Sequence, residues 1–160
     1  MSLELVYLIR HSKAEGAHPE GDRARALSPE GWQRIDRMLT ELLKKDFRPE
    51  LALSSPYLRA RQTRQGFASL LKDAAQEDSR DLSPAADLDD AYALLAEAAR
   101  RGLRRVAVFT HNPLVSNLAE LLLQPSAARD LVFHTPTVAA LALSNGLERR
   151  GGSLLWTLNP

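Results

Sequence analysis

Leu3-Glu4-Leu5-Val6-Tyr7-Leu8-Ile9, followed by Arg10-His11-Ser12, decides how the rest of the chain is read. The run is apolar throughout except for Glu4. A short, continuous apolar run that ends abruptly on polar residues suits a strand buried on both faces of a parallel sheet. Such a strand needs helices to cover it, so the next step outward is to look for them.

Ser28-Pro29-Glu30 opens a helix, with Ser28 as the N-cap, proline at the first helical position and an acid in the first turn. Trp32, Ile35, Leu39, Leu42 and Leu43 give it one apolar face, and Pro49 closes the segment. Leu51-Ala52-Leu53 is a second strand. Ser55-Pro56 repeats the cap-then-proline signal and predicts a helix to about Lys72, with Leu58, Phe67, Leu70 and Leu71 inward. From Ala74 to Ala86 the chain is polar and irregular, with a short strand expected near Asp81-Leu82. Asp87 is expected to cap a further helix, with Ala91, Leu94, Leu95 and Ala98 inward and Gly102 as its stop. Val106-Ala107-Val108-Phe109 is a wholly apolar strand, and Asn112-Pro113 starts a helix carrying Leu114, Leu118, Leu121 and Leu122. Val138 to Leu143 and Ser153 to Leu158 read as closing strands. This alternation predicts one α/β domain over 1–160, with a mostly parallel central sheet and helices on both faces.

Composition agrees. The 160 residues are 44% apolar and 26% charged, with 21 Lys+Arg against 20 Asp+Glu. Those are the proportions of a globular domain, not of a disordered tail or a coiled coil. The charge balance argues against nucleic acid as a partner. With no cysteine, a disulfide scaffold, a thiol nucleophile and a cysteine zinc site are excluded. A reducing, cytoplasmic location is expected. No apolar run approaches the roughly 18 residues that span a bilayer, so no membrane association is expected. Met1-Ser2-Leu3-Glu4 lacks the layout of a signal peptide.

The chemistry lies just past the strands. Arg10-His11-Ser12 follows the first, Ser54-Ser55-Pro56-Tyr57-Leu58-Arg59 the second, and Thr110-His111-Asn112-Pro113 the Val106 strand. In a parallel sheet these ends share one edge, where α/β proteins bind ligands. Two of the segments also start helices there, which adds free N–H groups and positive dipole ends. Two arginines and two histidines at such an edge suit a dianion such as phosphate. A neutral imidazole can attack phosphorus in line and form a covalent phosphohistidine without a metal or other cofactor. Each piece alone is ordinary: Arg10-His11 a solvated corner, Arg59 and Arg61 a polar helix face, His111-Asn112-Pro113 a helix cap. Their shared edge is what argues for function. His18, in a Gly/Pro-rich loop, reads as exposed, and His134, before Thr135-Pro136, as structural. Neither they nor the other histidines have metal-ligand spacing. Trp32 and Trp156 read as core or near-core aromatics.

The ordered set Arg10-His11, then Ser55-Pro56-Tyr57-Leu58-Arg59-Ala60-Arg61-Gln62-Thr63, then Thr110-His111-Asn112-Pro113 resembles the histidine phosphatase superfamily, also called phosphoglycerate-mutase-like. The small size looks most like its short bacterial SixA-type branch of phosphohistidine phosphatases. The resemblance implies that His11 is the phosphorylated nucleophile, that Arg10 and Arg59 bind the phosphoryl oxygens, and that His111 completes the pocket. Arg25, in Arg25-Ala26-Leu27-Ser28, resembles a further family arginine near the phosphate. The implied substrate is phosphohistidine on a protein, such as a histidine phosphotransfer domain. Alternatives are a small phosphate ester, or an inactive phosphoanion-binding module. Ser12 departs from the family, which usually has glycine there. Many members also take a general acid from a mid-chain loop; here Asp22, Asp81 and Asp87 are the candidates. Only a short segment, Leu71 to Ala86, is left for a lid after the second helix.

Overall fold

A computed structural model describes residues 3–160. Met1 and Ser2, the start of the segment read above as unlike a signal peptide, lie outside the described residues. The first strand, β1, spans Leu5–Arg10, so its end rather than its start carries the polar residue. Val6 to Ile9 are all buried, as expected of a strand covered on both faces. The helix α1 spans Pro29–Lys44, and the Ser28 hydroxyl accepts the Gly31 N–H at 3.0 Å, the expected N-cap. Its buried face is Gly31, Ile35, Met38 and Leu42, with Trp32 and Leu39 half-buried beside it. Leu43, expected inward, is 69% exposed. It sits one position after Leu42 and so points away from the face that meets the sheet.

β2 spans Leu51–Ser54 and is wholly buried. The helix after it, α2, is shorter than the sequence predicts, Leu58–Gly66, followed by a 3-10 turn at Ala68–Leu70. Ser55 does not cap it; Tyr57 holds the cap position without a side-chain bond. The strand expected near Asp81-Leu82 is a 3-10 turn at Arg80–Leu82. The actual strand, β3, is Ala75–Asp78, an exposed edge strand of four residues. Its acids are engaged by Arg64, Arg61 and Arg101, the charge pattern that guards an edge.

α3 spans Leu88–Arg100 with Ala91, Leu95 and Ala98 buried. Asp87 is at its N-cap, but its side chain makes no capping bond. Gly102 ends it as expected, at φ +80° with Leu103 N–H bonding back to the Ala98 carbonyl. β4 is Arg105–Thr110, and α4 is Leu114–Leu122, with an additional short helix, α5, at Pro125–Ala128. β5 is Thr137–Ala142 and β6 is Ser153–Leu158.

The sheet order is β3-β2-β4-β1-β5-β6. β3, β2, β4 and β1 run parallel; β5 is antiparallel to β1, and β6 to β5. The sheet is therefore mixed but mostly parallel. β1 alternates between two cores. Val6 and Leu8 pack with residues of α3 and α4, while Tyr7 and Ile9 pack with α1 and Phe67. Helices thus cover both faces. Arg10 is paired with Thr110, and Ser54 with Phe109, so the three strands end level with one another. Among the described residues, no helix is long and apolar enough to cross a membrane.

Candidate active site

The residues just past those level ends meet. His11 N–H donates to the Thr110 carbonyl and Ser55 N–H to the Phe109 carbonyl, both at 2.9 Å. The ladder therefore sets His11, Ser55 and His111 side by side. The His11 and His111 rings lie 5.1 Å apart between centroids, edge to face. His111 Nε2 is 2.8 Å from the Ser55 hydroxyl, which also accepts the Tyr57 N–H at 3.2 Å. This is where the expected Ser55 cap went: its oxygen serves the histidine.

His11 Nδ1 lies 2.6 Å from the Ser12 carbonyl oxygen. A carbonyl can only accept, so Nδ1 carries the proton and Nε2 keeps its lone pair. The Arg59 Nε–H donates towards that lone pair at 3.4 Å. Burial holds both imidazoles neutral. It lowers His11 to about 4, helped by Arg59 and Arg10 and opposed by the Ser12 hydrogen bond. It lowers His111 to about 3, with His11 and Arg59 adding to the effect.

Arg59, placed on the first turn of α2 by the end of β2, is buried. Its other donors reach the Asp22 carbonyl at 2.8 Å and the Asp22 carboxylate at 3.0 Å. Arg25 Nη1 binds the second oxygen of that carboxylate at 2.9 Å, and its Nε binds the Glu15 carbonyl at 2.8 Å. Arg25 therefore joins the cluster through Asp22. Arg10 Nη1 donates to the Phe133 carbonyl at 2.8 Å. Among the described residues, two buried side-chain polar atoms lack a hydrogen-bond partner: Arg10 Nε and His111 Nδ1. Both belong to this cluster.

The structure thus brings together Arg10, His11, Arg59 and His111, with Arg25 at the rim. Arg61 does not join them; it is a half-exposed polar-face residue near Asp78. His18 is exposed, as expected. His134 is exposed too, and only its backbone N–H is engaged, by the Thr137 hydroxyl.

Of the three acid candidates, Asp22 is the one tied to the cluster, yet hydrogen bonds from Arg25 and Arg59 hold its carboxyl below the usual range. Asp81 lies in the 3-10 turn whose Leu82 carbonyl accepts the Thr110 hydroxyl at 2.6 Å. Asp87 is exposed at the head of α3. The segment from Leu71 to Ala86 forms the edge strand and this turn. The segment beside the site comes instead from before α1, over 15–26, pinned at its base by Glu15 N–H to the Ala26 carbonyl.

Two contributors were not anticipated. Tyr57 packs edge-on against His111 at 5.3 Å, with the Arg59 and Arg23 guanidiniums 5.1 and 5.9 Å from its ring centre. The Phe133 carbonyl anchors Arg10 from 123 residues away. An aromatic in Ser-Pro-Tyr-Leu-Arg was the only sequence signal for either.

Ser12 is fully buried and is not among the non-glycine residues of positive φ, which are Asp46 and Arg150. Serine at this position therefore carries no positive-φ strain. Among the described residues, no three His, Asp or Glu gather as a metal site would require.

A family model, Histidine phosphatase superfamily (branch 1), matches residues 6–82. The phosphohistidine phosphatase SixA of Escherichia coli (strain K12) is 29% identical over 157 residues, 97% of this chain and 93% of that protein. A structure of the protein histidine phosphatase SixA complexed with tungstate is 27% identical, with a TM-score of 0.85, covering 98% of this chain and 97% of that one. A SixA structure from Agrobacterium tumefaciens is 26% identical, with a TM-score of 0.84, and each chain is covered completely.

Proposed function

From the premise that the chain is a phosphohydrolase related to the histidine phosphatase superfamily, we propose that it removes phosphate from phosphohistidine on a protein, through a phosphohistidine of its own at His11. One observation carries the reading: the two orphaned polar atoms, Arg10 Nε and His111 Nδ1, lie in the cluster that holds the His11 Nε2 lone pair. Leaving the buried Arg10 Nε–H donor unpaired costs roughly 1–3 kcal/mol. A phosphoryl oxygen is an acceptor for it, and for His111 Nδ1 in the tautomer where the Ser55 hydroxyl donates to Nε2. The tungstate held by a similar protein supports an oxyanion as the kind of ligand.

In the proposed reaction His11 Nε2 attacks phosphorus while Arg10, Arg59 and His111 bind the equatorial oxygens. The phosphoryl group passes to Nε2 as its P–N bond to the substrate imidazole breaks, and that leaving imidazole takes up a proton from solvent. Water then attacks the phosphohistidine, releasing phosphate and restoring the neutral imidazole. The reaction so proposed is metal-independent.

Phosphohistidine suits the site because transfer between two imidazoles is close to isoenergetic. Its protonated leaving nitrogen needs less help from an enzyme acid than an alkoxide does. The ionised state of Asp22, tied to two arginines, fits a substrate of this kind. The cysteine-free composition fits a cytoplasmic setting. A panel comparing a phosphorylated histidine phosphotransfer domain, sugar phosphates and a phosphoserine peptide tests the reading. The highest kcat/KM is expected for the phosphohistidine protein. Strong preference for a small ester, with that protein untouched, would overturn it.

A further inference from the structure

Ser12 is held from three directions. Its N–H donates to the Thr63 hydroxyl at 2.9 Å, and that hydroxyl donates to the Arg59 carbonyl at 2.7 Å. Its own hydroxyl donates to the Gly31 carbonyl, in the first turn of α1, at 2.7 Å. Next along the chain, the Lys13 carbonyl accepts from the Ser28 N–H at 2.9 Å and from the Ser28 hydroxyl at 3.1 Å. The two segments touch backbone to backbone at this point: a Cβ on Gly31 would lie 2.1 Å from the Lys13 oxygen. The loop after β1 is therefore clamped between α1 and α2. What remains of Ser12 is its carbonyl oxygen, which receives the His11 Nδ1–H.

We infer that the Ser12 hydroxyl, locked onto the Gly31 carbonyl, is a positioning group that aims the Ser12 carbonyl at His11 Nδ1 and thereby keeps the reactive lone pair on Nε2. The alternative tautomer would put a lone pair on Nδ1 facing a carbonyl oxygen, and would place a proton on the nitrogen that faces Arg59. Rotation of the Ser12 peptide would remove that penalty, and the Gly31 contact prevents it. Glycine, usual at this position in the family, has no side chain with which to form such a tie, so this chain fixes the peptide by a bond of its own.

The kinetic part of this inference rests on the proposed role of His11; the tautomer part does not. The test uses the full chain with 15N-labelled histidine. The parent His11 should show a single Nδ1–H tautomer at neutral pH. Ser12→Ala should show a mixture, and its kcat on an aryl phosphate should fall roughly tenfold. KM should change by less than about twofold, since the anion-binding groups are intact. Ser12→Thr, which keeps the hydroxyl, should restore both readouts. If Ser12→Ala does not fold, Ser12→Gly is read in the same way. Either hydroxyl-free variant with the parent tautomer overturns the inference, whatever its melting temperature. So does a folded Ser12→Thr whose imidazole stays mixed. If the parent has no phosphatase activity but the tautomer shifts as stated, the functional reading fails and this inference stands.

Discussion

The Arg59 Nε–H donates towards the lone pair of His11 Nε2 across 3.4 Å, while two further Arg59 nitrogens hold Asp22. The guanidinium thus spans from the His11 imidazole to Asp22. A lysine could supply the charge but not this fork. Arg59→Lys should lower kcat/KM by roughly a hundredfold, as loss of a transition-state donor does. Steady-state kinetics on an aryl phosphate check this; near-parent kinetics would remove Arg59 from the reaction.

Both imidazoles should titrate far below their ordinary value. In the folded chain His11 stays neutral to about pH 4 and His111 to about pH 3, against 6.5 for an unperturbed imidazole. Below about pH 6.5 the unfolded chain binds protons that the folded chain refuses, so stability falls as pH drops from there. For His11 alone the full difference is on the order of 3 kcal/mol. Denaturant unfolding at several pH values, with His11→Gln compared, checks the sign: the variant should lose less stability between pH 6.5 and 4. A parent flat across that window would contradict the burial argument.

Asp22 should not behave as a general acid. Arg25 and Arg59 hold it ionised. Asp22→Asn keeps the backbone carbonyl that anchors Arg59 Nη1. Its kcat should fall by about fivefold at most, with the shape of the pH profile kept, whereas loss of a general acid costs roughly 10²–10⁴-fold.

Oxyanions should stabilise the fold through the same cluster. Phosphate or tungstate at a hundred times its Kd should add about 2.7 kcal/mol. The gain should vanish in Arg59→Ala and shrink in His111→Ala. A gain that survives Arg59→Ala would place the anion elsewhere.

The parallel core was legible because its signals are local and apolar. The Ser28-Pro29 cap depends only on neighbouring residues, and the structure keeps it. The same signal at Ser55-Pro56 misled, because His111, 56 residues on, takes the Ser55 hydroxyl. β3 was misplaced because its residues, Ala-Gln-Glu-Asp, are all exposed and carry no apolar period. Positions such as His11 and His111 could be read from strand ends, since a parallel sheet brings those ends to one edge. Partners that arrive from loops could not. The Asp22 hold on Arg59 and the Phe133 hold on Arg10 exist only once the chain has folded.

The central claim is that phosphate passes through His11. Rapid mixing of a 32P-labelled phosphohistidine protein with excess enzyme, quenched at alkaline pH, tests it directly. The account predicts an acid-labile, alkali-stable label on His11 that appears and decays at rates consistent with turnover, and no label or turnover in His11→Ala. Near-parent turnover by His11→Ala, or phosphate release without any trapped label on His11, would contradict it.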